Sequence, residues 1–174
     1  HGRSELIGMR LVYSSAGSPF ARKVRIVLAE LGLSVEEDLR PGLRPVEELR
    51  PINPNLSLPV LIDGDLTLFE SNLIVDYLFE RYAAKAKPAG DPPLALSLVR
   101  PERRWEDAKI LATIETFADT MVNVRHYKGE GSSAETSRYM ARQEARMASC
   151  LDWLEERITD QGFWPGRFSA MDIA

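Results

Sequence analysis

The chain has 174 residues, 44% of them hydrophobic and 28% charged, too apolar for a disordered chain and too charged for one embedded in lipid. Its 22 basic and 26 acidic residues leave a net charge of −4, which argues against a phosphate-backbone partner and so against nucleic acid. No apolar run approaches the roughly 20 residues of a bilayer crossing and no secretory signal opens the chain, so the expectation is a soluble, cytoplasmic protein without membrane contact.

Residues 1–8 lack periodicity and read as a leader or remnant. Arg10-Leu11-Val12-Tyr13 is a short strand pattern, and Ser14 to Gly17 is turn chemistry. Ser18-Pro19 then has the form of an N-cap followed by proline at the first helical position. Phe20, Val24, Val27, Leu28 and Leu31 fall on one face of the helix so started. Gly32 stands where a left-handed C-cap belongs, with Leu33 placed for the contact that follows it.

Ser34 to Leu39 predicts a second strand, with Val35, Glu37 and Leu39 on one side. Arg40 to Pro54 is an irregular connection with one short helical signal at Val46 to Leu49. The apolar runs 58–62 and 66–69 flank Asp63-Gly64-Asp65, a hairpin signal. Ser71 opens a helix whose Ile74, Tyr77, Leu78 and Tyr82 share a face. Residues 9–82 are thus predicted as an α/β unit of order β-α-β-α-β-β-α.

Residues 83–93, rich in alanine, lysine and proline, read as a linker. Residues 94–174 are helical in pattern. Ile110, Ile114, Phe117, Met121 and Val124 predict one buried stripe. Ser132-Ser133-Ala134-Glu135 predicts a capping box for a second helix, with Met140, Met147, Leu151, Leu154 and Ile158 lining one face. Ser169-Ala170-Met171-Asp172 is a further capping box, stapled by Phe168 and Ile173.

An α/β unit of this order followed by helices resembles the cytosolic glutathione transferases of the bacterial, serine-using kind, and four motifs carry the resemblance. They are Ser18-Pro19-Phe20 after a strand, Asn53-Pro54 followed by Leu58-Pro59-Val60-Leu61, Glu70-Ser71 opening a helix, and 163–166 running into 169–174. The resemblance implies a thioredoxin-like first domain, a cis Pro59, and an all-α second domain that continues beyond Ala174. It further implies an enzyme that holds glutathione as a thiolate for attack on a hydrophobic electrophile, with glutathione as co-substrate and no separate cofactor, and a homodimer. Peroxidase or dehalogenase chemistry by the same thiolate, and a non-catalytic binding role, are the alternatives.

A free thiol with pKa near 8.5 is only about 3% ionised at pH 7, so such a site needs a hydroxyl or amide donor and a helix N-terminus aimed at the sulfur. Under the resemblance Ser18 is the catalytic hydroxyl, with Ser14 and Ser15 as alternates; Tyr13 is expected to be buried. Leu58 and Pro59 would meet the cysteinyl backbone of glutathione, and Glu70 and Ser71 its γ-glutamyl end. Leu56 and Ser57 depart from the family, which commonly has glycine and lysine there, the lysine meeting the glycyl carboxylate. With no cysteine near the turn, thiol–disulfide exchange is disfavoured. Cys150 alone excludes an internal disulfide, and with only His1 and His126 beside it no metal site is expected. Arg22, Lys23 and Arg25 read as a solvated helix face, Cys150 as buried, Trp105 and Trp153 as core or interface residues, and Asp172 as a capping acid.

Overall fold

The computed structural model describes residues 8–85 and 93–173. The leader reading for 1–7, the linker stretch 86–92 and Ala174 lie outside the described residues. In chain order the elements are β1 (Arg10–Tyr13), α1 (Pro19–Glu30), β2 (Glu36–Leu39), α2 (Val46–Leu49), β3 (Val60–Asp63), β4 (Leu66–Phe69), α3 (Ser71–Tyr82), α4 (Arg104–Gly129), α5 (Arg138–Glu155) and α6 (Ala170–Ile173). This is a thioredoxin-like α/β layer followed by helices.

The sheet order is β2-β1-β3-β4. β1 and β2 are parallel, while β3 runs antiparallel to both β1 and β4. β2 begins two residues later than the sequence pattern suggests, because it is an edge strand whose side chains bind charged partners rather than a core face. α1 starts where Ser18 Oγ accepts from Ala21 N–H at 3.3 Å. It stops at Gly32, whose φ of 66° lets Gly32 N–H reach Ala29 O and Leu33 N–H reach Leu28 O, the two bonds of a Schellman end.

On α3 the buried face is Ile74, Val75, Leu78 and Phe79. Tyr77 and Tyr82, expected on that face, are half-buried instead, because both hydroxyls donate to Asp63 Oδ2 at the hairpin. Their rings meet edge to face at 6.3 Å.

The helical part departs from its sequence reading in four places. The buried stripe of α4 is Ile110, Leu111, Ile114, Ala118 and Val124, with Phe117 and Met121 only partly covered. α5 begins at Arg138 rather than after Ser132, because Ser133 Oγ is used within its own turn by Thr136 and Ser137 Oγ takes the cap by accepting from Met140 N–H. Leu151 and Ile158 are exposed, Ile158 lying beyond the helix; Met140 and Gln143 carry the buried face. Trp105 is 74% exposed, its ring under the Arg104 guanidinium in the first turn of α4, and Cys150 is only half-buried.

Of the capping box at 169–172 the Asp172 arm forms, while Asp172 N–H bonds the Ser169 carbonyl rather than its hydroxyl. Asp172 Oδ2 accepts from Ser169 N–H and Oγ, and Oδ1 accepts from Phe163 N–H. Gly162, at φ 84°, has no room for a side chain: a Cβ there would lie 2.4 Å from Asp172 Oδ1. Two cores result. The larger joins Leu11, Val24, Leu28, Leu61 and Leu78 of the α/β layer to Leu94, Ala170 and Ile173. The smaller gathers Ile110, Leu111, Ile114, Trp164 and Met171. Among the described residues no helix is long and apolar enough to cross a membrane.

Candidate functional site

Strand register alone brings the sequence-predicted residues to one end of the sheet. Val12 pairs with Val60 and Val60 with Phe69. The continuation of β1 into Ser14, the residues before β3 (Leu58 and Pro59) and those after β4 (Glu70 and Ser71) therefore emerge side by side. Two long-range contacts tighten the grouping: Asn55 Nδ2 donates to Glu70 Oε1 at 3.0 Å, and the Arg44 guanidinium donates to the carbonyl of Tyr13 at 3.2 Å. Arg44 also binds the Asp38 carbonyl and carboxylate, so a buried cation anchors the root of the turn.

The three candidate hydroxyls differ in what they already do. Ser15 is exposed, and its Oγ accepts from Gly17 N–H at 3.1 Å within the turn. Ser14 is half-buried, and among the described residues its side chain makes no hydrogen bond. Ser18 Oγ accepts from Ala21 N–H at the N-terminus of a 12-residue helix, and among the described residues its own proton is not donated to a protein group. Tyr13 is buried as expected and its hydroxyl donates to Glu37 at 2.6 Å. That hydrogen bond, with burial, holds the phenol above its ordinary pKa, so Tyr13 keeps its proton and spends it on Glu37 rather than on a ligand.

The Leu58–Pro59 peptide is cis. Ahead of it, buried Asn53 donates from Nδ2 to the Ser57 carbonyl at 2.8 Å and to Ser57 Oγ at 3.1 Å. Leu56 stands at φ 55°, a left-handed position that costs a leucine about 1 kcal/mol and that glycine takes freely. Thus the two departures from the family pattern lie together, an exposed leucine and a serine already engaged by Asn53.

At the start of α3, Glu70 has φ 69° and makes no side-chain cap, so the first-turn amides of a 12-residue helix carry no capping side chain. Ser71 Oγ is buried without a hydrogen-bond partner among the described residues. Uncapped amides plus an unpartnered hydroxyl make a place for an anion.

One residue of this region was misread as a solvated lysine. Lys23 is 1% exposed; its Nζ donates to Asn72 Oδ1 at 2.6 Å and also to Glu115 on α4. Burial pulls the lysine pKa down, while Glu115 opposes that shift. The sequence did carry a signal: Lys23 lies three residues after Phe20 and four before Val27, within the apolar stripe. Its neighbours Arg22, which is exposed, and Arg25, which pairs with Glu37, fit the solvated reading. Across the same junction the carboxyl of Asp119 is pushed up by partial burial and by the negative charges of Glu115 and Glu70.

Elsewhere, a shallow groove of about 300 Å³ runs along the seam of α4 and α5, lined by Lys109, Ala112, Thr113, Thr116, Cys150 and Trp153. It shares no residue with the site at the sheet end.

Residues 12–87 match the family model described as glutathione S-transferase, N-terminal domain. A stringent starvation protein A homolog of Coxiella burnetii is 44% identical over 71 residues, which are 41% of this chain and 34% of that protein. The homolog of the same name from Pasteurella multocida is 31% identical over 123 residues, 68% of this chain and 58% of that one. The chain therefore spans between about a third and three-fifths of the length of these relatives. Among solved structures, a glutathione S-transferase of Methylobacterium radiotolerans in complex with glutathione sulfonate superposes with a TM-score of 0.75 at 26% identity, covering 95% of this chain and 74% of that one.

Proposed function

We propose that this chain, whose residues 12–87 match the glutathione S-transferase N-terminal domain, binds glutathione at the sheet end and holds the sulfur as a thiolate for attack on a hydrophobic electrophile. The observation that carries the reading is the gathering at one end of the sheet of three groups suited to a ligand: Ser18 at the start of α1, the Leu58 backbone beside cis Pro59, and the uncapped start of α3 with Ser71, whose Oγ has no partner among the described residues.

In this reading Ser18 donates to the thiolate, aided by the N-terminal end of the α1 dipole. Leu58 N–H and C=O pair with the cysteinyl backbone as a neighbouring strand would. Ser71 and the first amides of α3 take the γ-glutamyl carboxylate, and Glu70, shared with Asn55, accepts from the ammonium. The thiol proton leaves to solvent, the sulfur forms a bond to carbon, and the leaving group departs with its electron pair. The electrophile is small and hydrophobic; a substrate panel separates transfer from peroxide reduction and dehalogenation, which use the same thiolate. A homodimer and a cytoplasmic location belong to the same proposal. The exposed Leu66 and Leu73, on β4 and α3, support the homodimer.

Calorimetry with glutathione, followed by an ultraviolet titration of the bound thiolate, tests the reading. Binding with a thiol pKa well below its free value supports it, and binding without a thiolate at neutral pH removes the catalytic part. A second reading, a non-catalytic binding protein, is favoured by Leu56 and Ser57, which leave the glycyl end of glutathione without the family's lysine, and by relatives named as stringent starvation proteins. No binding at millimolar glutathione would select that reading.

A further inference from the structure

The junction of the α/β layer with α4 contains a charged group that the proposed chemistry does not use. Lys23 projects from α1, five residues after Ser18, into a place where it is 1% exposed. Desolvating an ammonium is costly, and a well-packed apolar side chain of similar volume would be as stable or more so. What the lysine supplies is a three-way connection. It donates to Asn72 Oδ1 at 2.6 Å, and Asn72 directly follows Ser71 in the first turn of α3. It also donates to Glu115 on α4, whose carboxylate is about a quarter exposed. Three elements distant in sequence, separated by 49 and 92 residues from Lys23, thus meet at one nitrogen.

Its electrostatic setting is equally specific. Glu115 pairs with Lys23, and on the same helix the Asp119 carboxyl is pushed up by partial burial and by the charges of Glu115 and Glu70. Lys23 is the buried cation among them. Remove it, and Asn72 loses its hydrogen bond to α1 while Glu115 loses its buried cation.

We infer that Lys23 is a positioning residue for the carboxylate-bearing end of the ligand: through Asn72 it fixes the first turn of α3, and through Glu115 it makes that turn depend on where α4 docks. The inference rests on the reading of this site as a glutathione site. It means that occupancy at α3 and the seating of the helical part are coupled, each favouring the other.

Two variants of the whole chain test it. Asn72→Ala cuts the strut at its α3 end and leaves the Lys23–Glu115 pair. The double variant Lys23→Met with Glu115→Leu removes both charges together, which avoids the uncompensated buried charge that a single change would leave. Cooperative melting near the parent temperature establishes folding. Calorimetry then reads glutathione affinity, and hydrogen exchange reads the amides of 71–74. The expectation is glutathione binding weaker by about tenfold in both variants, with exchange of 71–74 faster by a similar factor. A folded variant pair that binds within about twofold of the parent, with unchanged protection at 71–74, overturns the inference. If the parent itself fails to bind glutathione, the functional reading falls. The strut is then judged on exchange alone: faster exchange in the variants upholds it, unchanged exchange overturns it.

Discussion

Replacing Ser18 by alanine separates two roles that one oxygen performs. As an N-cap, Ser18 Oγ accepts from Ala21 N–H at 3.3 Å, a long bond, so its loss costs about 1 kcal/mol or less. In a chain of this size that lowers the melting temperature by about 2–4 °C, well short of unfolding at room temperature. As the proposed donor to the thiolate, its loss raises the pKa of bound glutathione by one or more units, each worth about 1.36 kcal/mol. If the parent holds the thiol near 6.5, about three-quarters is ionised at pH 7; one unit higher, about a quarter is. Turnover at neutral pH then falls at least about threefold and recovers as pH rises, because alkali restores the thiolate. The assay is a pH series of bound-thiolate absorbance, read beside turnover with an activated aromatic electrophile. A variant that binds glutathione with unchanged thiol pKa and unchanged turnover refutes the role of Ser18 and moves it to Ser14 or Ser15.

Gly162→Ala is expected to destabilise by about 3 kcal/mol in urea unfolding, since the new methyl must displace Asp172 and break its bonds to Phe163 and Ser169. Asp107 is fully buried against Arg100, and although burial pushes its carboxyl up, three hydrogen bonds from Arg100, two from its guanidinium and one from its backbone N–H, together with the guanidinium charge bring it below the usual carboxylate range. A depressed folded-state pKa gives stability that is complete above the unfolded value of about 3.9 and is lost as pH falls through the folded value. Asp107→Ala should therefore cost about 3 kcal/mol at pH 7 and flatten the acid limb of the stability–pH curve; an unchanged limb would count against the pair. Light scattering at micromolar concentration should give twice the chain mass, falling to the chain mass when Leu66 and Leu73 on β4 and α3 are both made aspartate; a parent that is already monomeric removes the dimer.

What the sequence disclosed was largely what neighbours in the chain decide. The start of α1 at Ser18-Pro19, its end at Gly32, the hairpin about Gly64 and the Asp172 arm of the box at Ser169 to Asp172 are local hydrogen-bond devices, and each formed where its spacing placed it. Where two local devices competed, the spacing was silent. Ser132-Ser133 and Ser137 both precede helical sequence, and only the closing of the Ser133–Thr136 turn assigns the cap to Ser137. Contacts across long separations were less legible still. Lys23 stands between two arginines and reads as solvent-facing until Glu115, 92 residues on, arrives beside it. The exposure of Leu151 and Trp105 likewise depends on what packs over α4 and α5, which periodicity within one helix cannot state.

Leu94, just past the proline-rich stretch, is 1% exposed and lies in the same apolar cluster as Leu11, Leu61 and Leu78. It bridges to Phe168 as a short parallel pair, with Ala95 N–H donating to Phe168 O and Phe168 N–H to Pro93 O. Ala170 and Ile173 complete that cluster from the far end of the helical part. For anyone recombining such proteins, the seam suggested by composition is therefore a poor crossover point. A chimera cut at 83–93 would inherit a sheet whose covering residues come from another parent, at 94 and again at 168–173. The inheritable block is the α/β layer together with those two short stretches, a unit discontinuous in the gene but continuous in space.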